Sequence, residues 1–561
     1  MTQENKLRIG LLVDGMELPA WAYRMIAIIK ESDYAEIALV VQSVLSADGR
    51  PGNTPNRGAD DGALTQFWKA TIRRILLVIE RFLVGKPGNL PDAFEILNGT
   101  ELLTGIEVIQ LTARRHQGRD QIEPGALASI QGHDIDVFVQ LGSRNLNSDM
   151  LRSARCGIWY CDHGNPRVNR GGPAGYWEVM ESWREIGSTL RIVAEDYEGV
   201  AYRSFSATIV MSMADTKSNV YWKTLNFIPR KLNQLRREGR AIFFARLKEE
   251  NNSLEVYDRR LYAAPTNVEL SVLVWKKLLQ KVRSKWEDIM YYKQWALLYD
   301  IHHDISLSFC SFKRIIPPPD RLWADPFIVA RDGKYYIFFE ELFFAKPRGH
   351  ISLIVLNRDG SYEPAVPILK TAYHLSYPFI FEFEGNLYLI PESCENRTVE
   401  LYKCVAFPLK WEYQKNLMEG CLMVDATLYR WNGKWWMFGN RMESDGASTS
   451  DELFLYYSDS PLSDNWIPHK RNPVVSDVKS ARPAGRLFLR DGRLFRPSQD
   501  SSGHYGYGFN ICEITKLTET DYDEEIVEKV EPKWDKNVVA THTINYEDGL
   551  TIIDAQIRHR M

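Results

Sequence analysis

The chain has 561 residues, more than one hydrophobic core organises, so about two to four domains are expected. Hydrophobic residues make up 45% and charged residues 25%, the proportions of an ordinary soluble protein, and a net charge of -4 gives no reason to expect nucleic acid as a partner. The seven cysteines are scattered with no CxxC pair, which argues against a structural zinc or a disulfide framework, and no metal is expected. The polar start MTQENKLR runs straight into a strand without a signal peptide, and no apolar run reaches membrane-spanning length. A cytoplasmic protein is the expectation.

Leu7 to Val13 and Ile37 to Val41 read as short apolar strands around a helical Trp21 to Lys30, a βαβ opening that implies a parallel sheet. Leu64 to Val84 carries apolar residues at helical spacing with Lys69, Arg73, Arg74 and Arg81 interleaved. It reads as an amphipathic helix packed on its own domain, with an interfacial membrane helix as the alternative. Further strands are expected at Ile106 to Leu111, Asp136 to Leu141 and Gly157 to Tyr160. Ligands in open α/β sheets sit off the carboxyl ends of strands. The polar, glycine-rich loop after Tyr160 is placed there, with Asp162, His163, Asn165 and Arg170 as candidates.

The segments DIDVFVQLGSRNL, GIWYCDHGN, RGGPAGYWEV and AEDYEG resemble the formyltransferase fold over about residues 7 to 205. The resemblance implies transfer of a formyl group from a formyl-tetrahydrofolate donor to an amine, with a catalytic Asn, His and Asp. Here Trp159 or Tyr160 stands at the Asn position, Asp162 or His163 at the His position, and Glu198 at the Asp position. The domain is assigned residues 1–205.

Residues 206–320 read as a helical connector whose basic runs, such as RKLNQLRREGR, form a solvated face. Pro317, Pro318 and Pro319 break the pattern before the last domain, residues 321–561. There a turn dipeptide recurs between β-patterned runs: Asp332-Gly333, Glu384-Gly385, Asn432-Gly433, Asp491-Gly492 and Asp548-Gly549. Such dipeptides favour type I′ hairpins, and their recurrence predicts a five-bladed, all-β propeller. Aromatics crowd into this half, which suits both a sheet core and sugar-stacking surfaces.

Counting outward from each turn, without a bulge, sets Asp325 opposite Glu340, Tyr377 opposite Glu392, and Asp425 opposite Asn440. The fourth and fifth blades pair Ala484 with Gln499, beside Arg482, and Thr541 with Gln556, beside His542. The result is a polar ring at one height, with opposed carboxylates that imply a functional site.

The motifs WADPF, EE, SYPF, PES, DATLYRWNGKWWMF, ARPAGRLF, RPSQD with the following YGYGF, and THTI, over about residues 321 to 557, resemble the N-terminal domain of glucosamine inositolphosphorylceramide transferases. More broadly they resemble the arabinanase-like propellers of glycoside hydrolases. The latter resemblance implies that Asp325 is a base, Asp425 tunes a partner, and Glu392 is the candidate acid. Glu340, Tyr377, Arg482, Gln499, Asp500 and His542 would bind substrate. The primary expectation is a transferase acting on an amino sugar or glycan precursor in cell-envelope glycan biosynthesis. Its propeller would hold a carbohydrate, nucleotide-sugar or glycolipid substrate. The alternatives are a glycosidase or glycosyl-transferring enzyme with its site in the propeller, and a non-catalytic glycan-binding protein. Oligomeric state is left open.

Overall fold

Short apolar runs with polar ends build the first sheet. Its strands are β1 (Leu7–Val13), β2 (Ala35–Val44), β3 (Val108–Thr112), β4 (Val137–Gln140), β5 (Ile158–Asp162), β6 (Glu185–Ala194) and β7 (Tyr197–Ala207). The computed structural model describes residues 6–44, 63–84, 88, 90–112, 114–116, 119–121, 124–142, 148–165, 168, 174–251, 260 and 262–561. The strand order is β7-β6-β5-β4-β1-β2-β3. β1 pairs in parallel with β2 and β4, as do β2 with β3 and β4 with β5, whereas β6 runs antiparallel to β5. Helix Ala20–Glu31 buries Trp21, Met25, Ile26 and Ile29 against Ile9, Leu11 and Val13 of β1. The chain builds outward from β1 to β2 and β3, then crosses back to lay β4 on the other side. The sheet therefore has a topological switch point between the carboxyl ends of β1 and β4.

Two compact units divide the chain. The first holds residues up to Lys277 apart from Phe205–Ala207, together with Ser444–Ala447, and the second holds the remainder. The helical pattern of the connector appears as Met213–Thr224, Phe227–Glu250 and Asn267–Met290. The last begins with a capping box, in which Thr266 Oγ1 accepts the Glu269 N–H and Glu269 accepts the Thr266 N–H at 2.9 Å.

After Met290 the structure departs from the expected helical connector. Tyr291–Ile301 is a strand that pairs along its whole length with the last strand, Leu550–Arg560, and Lys313–Ile315 pairs on its outer side. Alternating apolar residues such as Ala296 and Leu298 face the same cluster as Ile553 and Ala555, so a strand's two-residue period buries what a helical reading leaves scattered. The fifth blade is thus made of both ends of the propeller segment, which closes the ring.

The other four blades are four-stranded sheets that start at Arg321, Ser376, Leu422 and Phe488. Each dipeptide turn has both residues at positive φ, for example Asp332 at 50° and Gly333 at 73°, as type I′ geometry requires. Aromatics fill the space between neighbouring blades: Phe379, Phe381 and Tyr388 of the second pack with Met423, Trp435 and Met437 of the third. Full burial of such a side chain contributes about 1.5–3 kcal/mol.

The bulge-free register does not hold. Ala324, not Asp325, faces Glu340, and the ladder resumes at Phe327–Phe338. Ser376 faces Glu392 and Val424 faces Asn440 in the same way. In each of three blades an extra residue is inserted, and Asp325, Tyr377 and Asp425 sit there at φ 51°, 42° and 54°. Two are followed by proline, Pro326 and Pro378, which has no N–H to give a ladder. In the fourth blade the slip brings Arg482 opposite Gln499, whose N–H donates to the Arg482 carbonyl at 2.7 Å. In the fifth Ala540, not Thr541, faces Gln556. The bulge takes the residue out of the ladder and re-aims its side chain, so the directly opposed carboxylate pair is replaced by a repeated device that turns one residue per blade out of register.

Candidate functional site

The bulges assemble a buried charge network. Arg482 donates from Nε to Asp425 Oδ2 at 2.5 Å, and from Nη2 to Asp425 Oδ1 at 3.3 Å and Glu392 Oε2 at 3.4 Å. Gln499 Nε2 donates to Asp425 Oδ2 at 3.1 Å, and Cys394 Sγ lies 3.1 Å from Glu392 Oε1 as a donor. Burial and the neighbouring Asp425 charge push the Glu392 carboxyl up to about 7. Burial also raises Asp425, against the pull of Arg482. The guanidinium makes two bonds to Asp425 and a single longer one to Glu392, so Asp425 is the carboxylate of the pair and Glu392 holds the proton near neutrality.

A second group meets at the fifth blade. Asp554 Oδ2 lies 2.6 Å from His542 Nδ1, and Asp325 Oδ1 lies 3.7 Å from His542 Nε2. Asp554 also accepts the backbone N–H groups of Asp325, His542 and Thr543 at 2.9–3.1 Å. Burial alone would lower His542, but the two carboxylates outweigh it and push the imidazole up to about 9. Burial raises Asp325 to about 6, opposed by His542 and by the hydrogen bond from Thr543 Oγ1 at 2.8 Å. Asp554 titrates below its ordinary range, held there by His542 and the N–H donors. Trp295 stacks on His542 at 4.4 Å. Half-exposed Tyr505 joins the two groups, its ring 5.0 Å from the Arg482 guanidinium and 5.4 Å from His542.

Asp325, His542 and Asp554 each offer a ligand atom within 4.8 Å of one another. At neutral pH a cation there would have to displace the imidazolium proton that both carboxylates stabilise. Chemically, the network sets a neutral carboxylic acid, Glu392, beside a carboxylate pair whose charge is fixed by Arg482 and His542. Those are the two protonation states that acid–base chemistry at an oxygen needs.

The remaining ring candidates have other partners. Glu340 pairs with His374 at 3.2 Å and raises that imidazole. Tyr377 is fully buried, its hydroxyl bonded to Thr427 Oγ1 and accepting the Gly485 N–H, both at 2.9 Å. It has no face left for a sugar. Asp500 accepts the Ser502 N–H in a local turn. Asp554, Trp295 and Tyr505 escaped the sequence reading. Asp554 had a signal, a single carboxylate inside the apolar run LTIIDAQ, and Tyr505 opens the YGYGF motif that follows RPSQD, whereas Trp295 had none. At the turn end of the inner strands, a cavity of about 720 Å³ is lined by Arg331, Glu382, Arg430, Trp435, Arg486 and Glu547, none of them a residue of the network.

In the first unit, a cavity of about 410 Å³ opens at the switch point, between Asp14 and Gly15 after β1 and Leu141 and Gly142 after β4. Tyr160 and His163 line it with Trp21 and Tyr221. A Cβ at Gly142 would lie 2.5 Å from Asp14 Oδ1 and 3.1 Å from the Asp14 backbone nitrogen, so a side chain there would press on the end of β1 and push the Asp14 carboxylate aside. His163 stacks on Tyr221 at 3.6 Å, meets Thr224 Oγ1 at 2.9 Å, and is pushed down to about 3 by burial. Asp162 ends β5 with an exposed side chain. Asn165 packs against Gly187 of β6. Glu198 is solvent-exposed, paired with Arg191 at 3.5 Å, and does not line the cavity. Arg170 lies outside the described residues. The Asn-His-Asp geometry implied by the resemblance is therefore not assembled around the cavity from these residues.

Residues 308–547 match the family described as glucosamine inositolphosphorylceramide transferase 1, N-terminal. Glucosamine inositolphosphorylceramide transferase 1 of Oryza sativa subsp. japonica is 37% identical over 209 residues, 37% of this chain and 28% of the relative. That of Arabidopsis thaliana is 36% identical over 209 residues, 37% of this chain and 27% of the relative. The chain thus spans under a third of the length of these relatives. Among solved structures, the family 117 glycoside hydrolase Zg3597 of Zobellia galactanivorans aligns with TM-score 0.32 and 11% identity, over 48% of this chain and 91% of that chain. The catalytic domain of the GH62 α-L-arabinofuranosidase of Coprinopsis cinerea aligns with TM-score 0.31 and 11% identity, over 42% and 90%.

Proposed function

We propose that the chain is a glycan-directed transferase whose propeller holds the carbohydrate, an amino sugar or the sugar end of a glycolipid precursor in cell-envelope glycan synthesis. The observation that carries this reading is the buried charge network, in which Glu392 keeps a proton up to about pH 7 beside the Asp425–Arg482 pair. Glu392 is the acid that protonates a departing oxygen. Asp325, hydrogen-bonded to Thr543 and facing His542, is the carboxylate that takes a proton from an incoming hydroxyl. Arg482 and His542 hold their charges throughout and stabilise negative charge as it develops on oxygen. A ligand reaching them meets Tyr505 first, whose half-exposed ring covers both. The similarity of residues 308–547 to a family described by a transferase's name supports transfer as the reaction.

The test supplies the full chain with an inositolphosphorylceramide acceptor and a nucleotide sugar and follows products by mass. Asp325→Asn and Glu392→Gln should each lower turnover by about 10²–10⁴-fold while sugar binding survives. Wild-type levels in both variants would refute the assignment.

The same acid and base can deliver water instead of an acceptor hydroxyl, which would make the enzyme a glycosidase. Free sugar released without acceptor would favour that reading. The formyl-transfer reading belongs to the switch-point cavity, where a formyl-tetrahydrofolate donor would sit beside Tyr160 and His163. With its imidazole pushed down to about 3, His163 is a weak base, so that chemistry needs another group to take the proton. Saturable folate binding supports the reading, and its absence removes it.

A further inference from the structure

The later part of helix Ala63–Val84, from Arg73, and the first part of helix Asn267–Met290, to Lys277, share one side and expose the other. Leu76, Leu83 and Val84 of the first pack with Leu270, Leu273 and Val274 of the second around Tyr176 and Trp177. Arg73 ties them by donating to the Pro265 carbonyl at 2.9 Å. On the second helix an apolar side chain is exposed at every third or fourth residue from Val268 to Ile289. Trp275 is 60% exposed, Trp286 58% and Ile289 69%, and on the neighbouring helix Phe82 is 63% exposed beside Ile75 and Val78. A patch of this size is not left to water by an ordinary soluble surface.

We infer that this two-helix face docks on an anionic lipid surface, each helix lying in the plane of the interface. The charges select that occupant. Lys276 and Lys285 flank the stripe on opposite sides, each about 80–100° from Trp275 at 3.6 residues per turn. Arg74 and Arg81 are exposed on the neighbouring helix, whose single carboxylate among the described residues, Glu80, is buried and accepts from Tyr176. Apolar residues rimmed by cations match acyl chains beneath anionic headgroups. Tryptophan suits that boundary, because its ring is apolar and its N–H polar. The regular spacing alone would also suit a second helix, but two tryptophans in the seam and a second apolar helix beside it make a broad face, not a narrow coiled-coil seam. No helix among the described residues is long and apolar enough to cross a membrane, so the face lies on the bilayer. The inference stands without the transferase reading.

Flotation of the full chain with vesicles of phosphatidylcholine, with and without phosphatidylglycerol, tests it. The chain should float with the anionic vesicles only, and less as salt rises. Trp275→Glu with Trp286→Glu should abolish flotation. Reversing Arg74, Arg81, Lys276 and Lys285 to Glu should lower partitioning by at least about a hundredfold. If the tryptophan variant melts early, Ile289→Glu with Val78→Glu replaces it. A wild-type chain that fails to float overturns the inference. So does a wild-type dimer that the tryptophan variant splits into monomers, which would make the face a self-association surface.

Discussion

His163 and His542 titrate in opposite directions, and the difference separates the two units. His163 lies between Trp21 and Tyr221 with a hydroxyl as partner, so desolvation acts unopposed and drives it to about 3. His542 is more deeply enclosed, yet two carboxylates reverse the effect and carry it to about 9. Burial by itself does not fix a histidine's charge; the charge of what is buried with it does. The first unit offers an open cavity whose one imidazole stays neutral, and the propeller offers a dense network poised for proton transfer.

The sharpest way to break this contrast is to remove the carboxylate that makes His542 a cation. Asp554→Ala should cost about 3–5 kcal/mol in chemical denaturation, since it leaves a buried imidazolium and three backbone donors without their acceptor. The pH dependence comes next. His542 has a folded pKa above its unfolded value, so its contribution is complete below about 6.5 and is lost as pH rises through about 9, worth roughly 3 kcal/mol. Glu392 acts with the same sign, its contribution lost as pH rises through about 7. Asp554 has the opposite sign, and its contribution is lost as pH falls below the ordinary carboxylate range. Thermal melts should therefore show falling stability from pH 6 to 10, and His542→Gln should flatten the upper part of that curve.

Tyr377→Phe removes the acceptor of the Gly485 N–H and should cost about 1–3 kcal/mol. Glu392→Gln replaces a group already neutral at pH 6 and should change stability there by under about 1 kcal/mol, while gaining on wild type at pH 9. His163→Phe should show the smallest effect, about 1 kcal/mol at pH 8, because it keeps the stack on Tyr221 and loses only the Thr224 bond; below about pH 6.5 the cost should shrink, because the unfolded imidazole takes up a proton that the folded one, pushed down to about 3, does not.

Much of the fold was legible. The turn dipeptides require positive φ and give the hairpins directly, and β1, β4 and β5 announce themselves as short apolar runs. The fifth blade was not legible from local pattern, because the strand Tyr291–Ile301 finds its partner at the far end of the chain. The network was half legible. Glu392, Asp425, Arg482 and Gln499 follow from a bulge-free register although bulges are present, since these displace Asp325, Tyr377 and Asp425 by one step without moving them from that end of the strand. The prolines at 326 and 378 were the sign of those bulges. Asp554 is hidden because a bulge-free register pairs Thr541 with Gln556, two residues beyond it.

Turnover of Asp325→Asn beside His163→Phe, each with sugar binding measured on the same sample, tests most directly whether the acid–base chemistry sits in the propeller. Asp325→Asn should lose about 10²–10⁴-fold in turnover with binding retained, and His163→Phe should stay within a few-fold of wild type. Unchanged turnover in Asp325→Asn together with a collapse in His163→Phe would contradict that placement and move the reaction to the switch-point cavity.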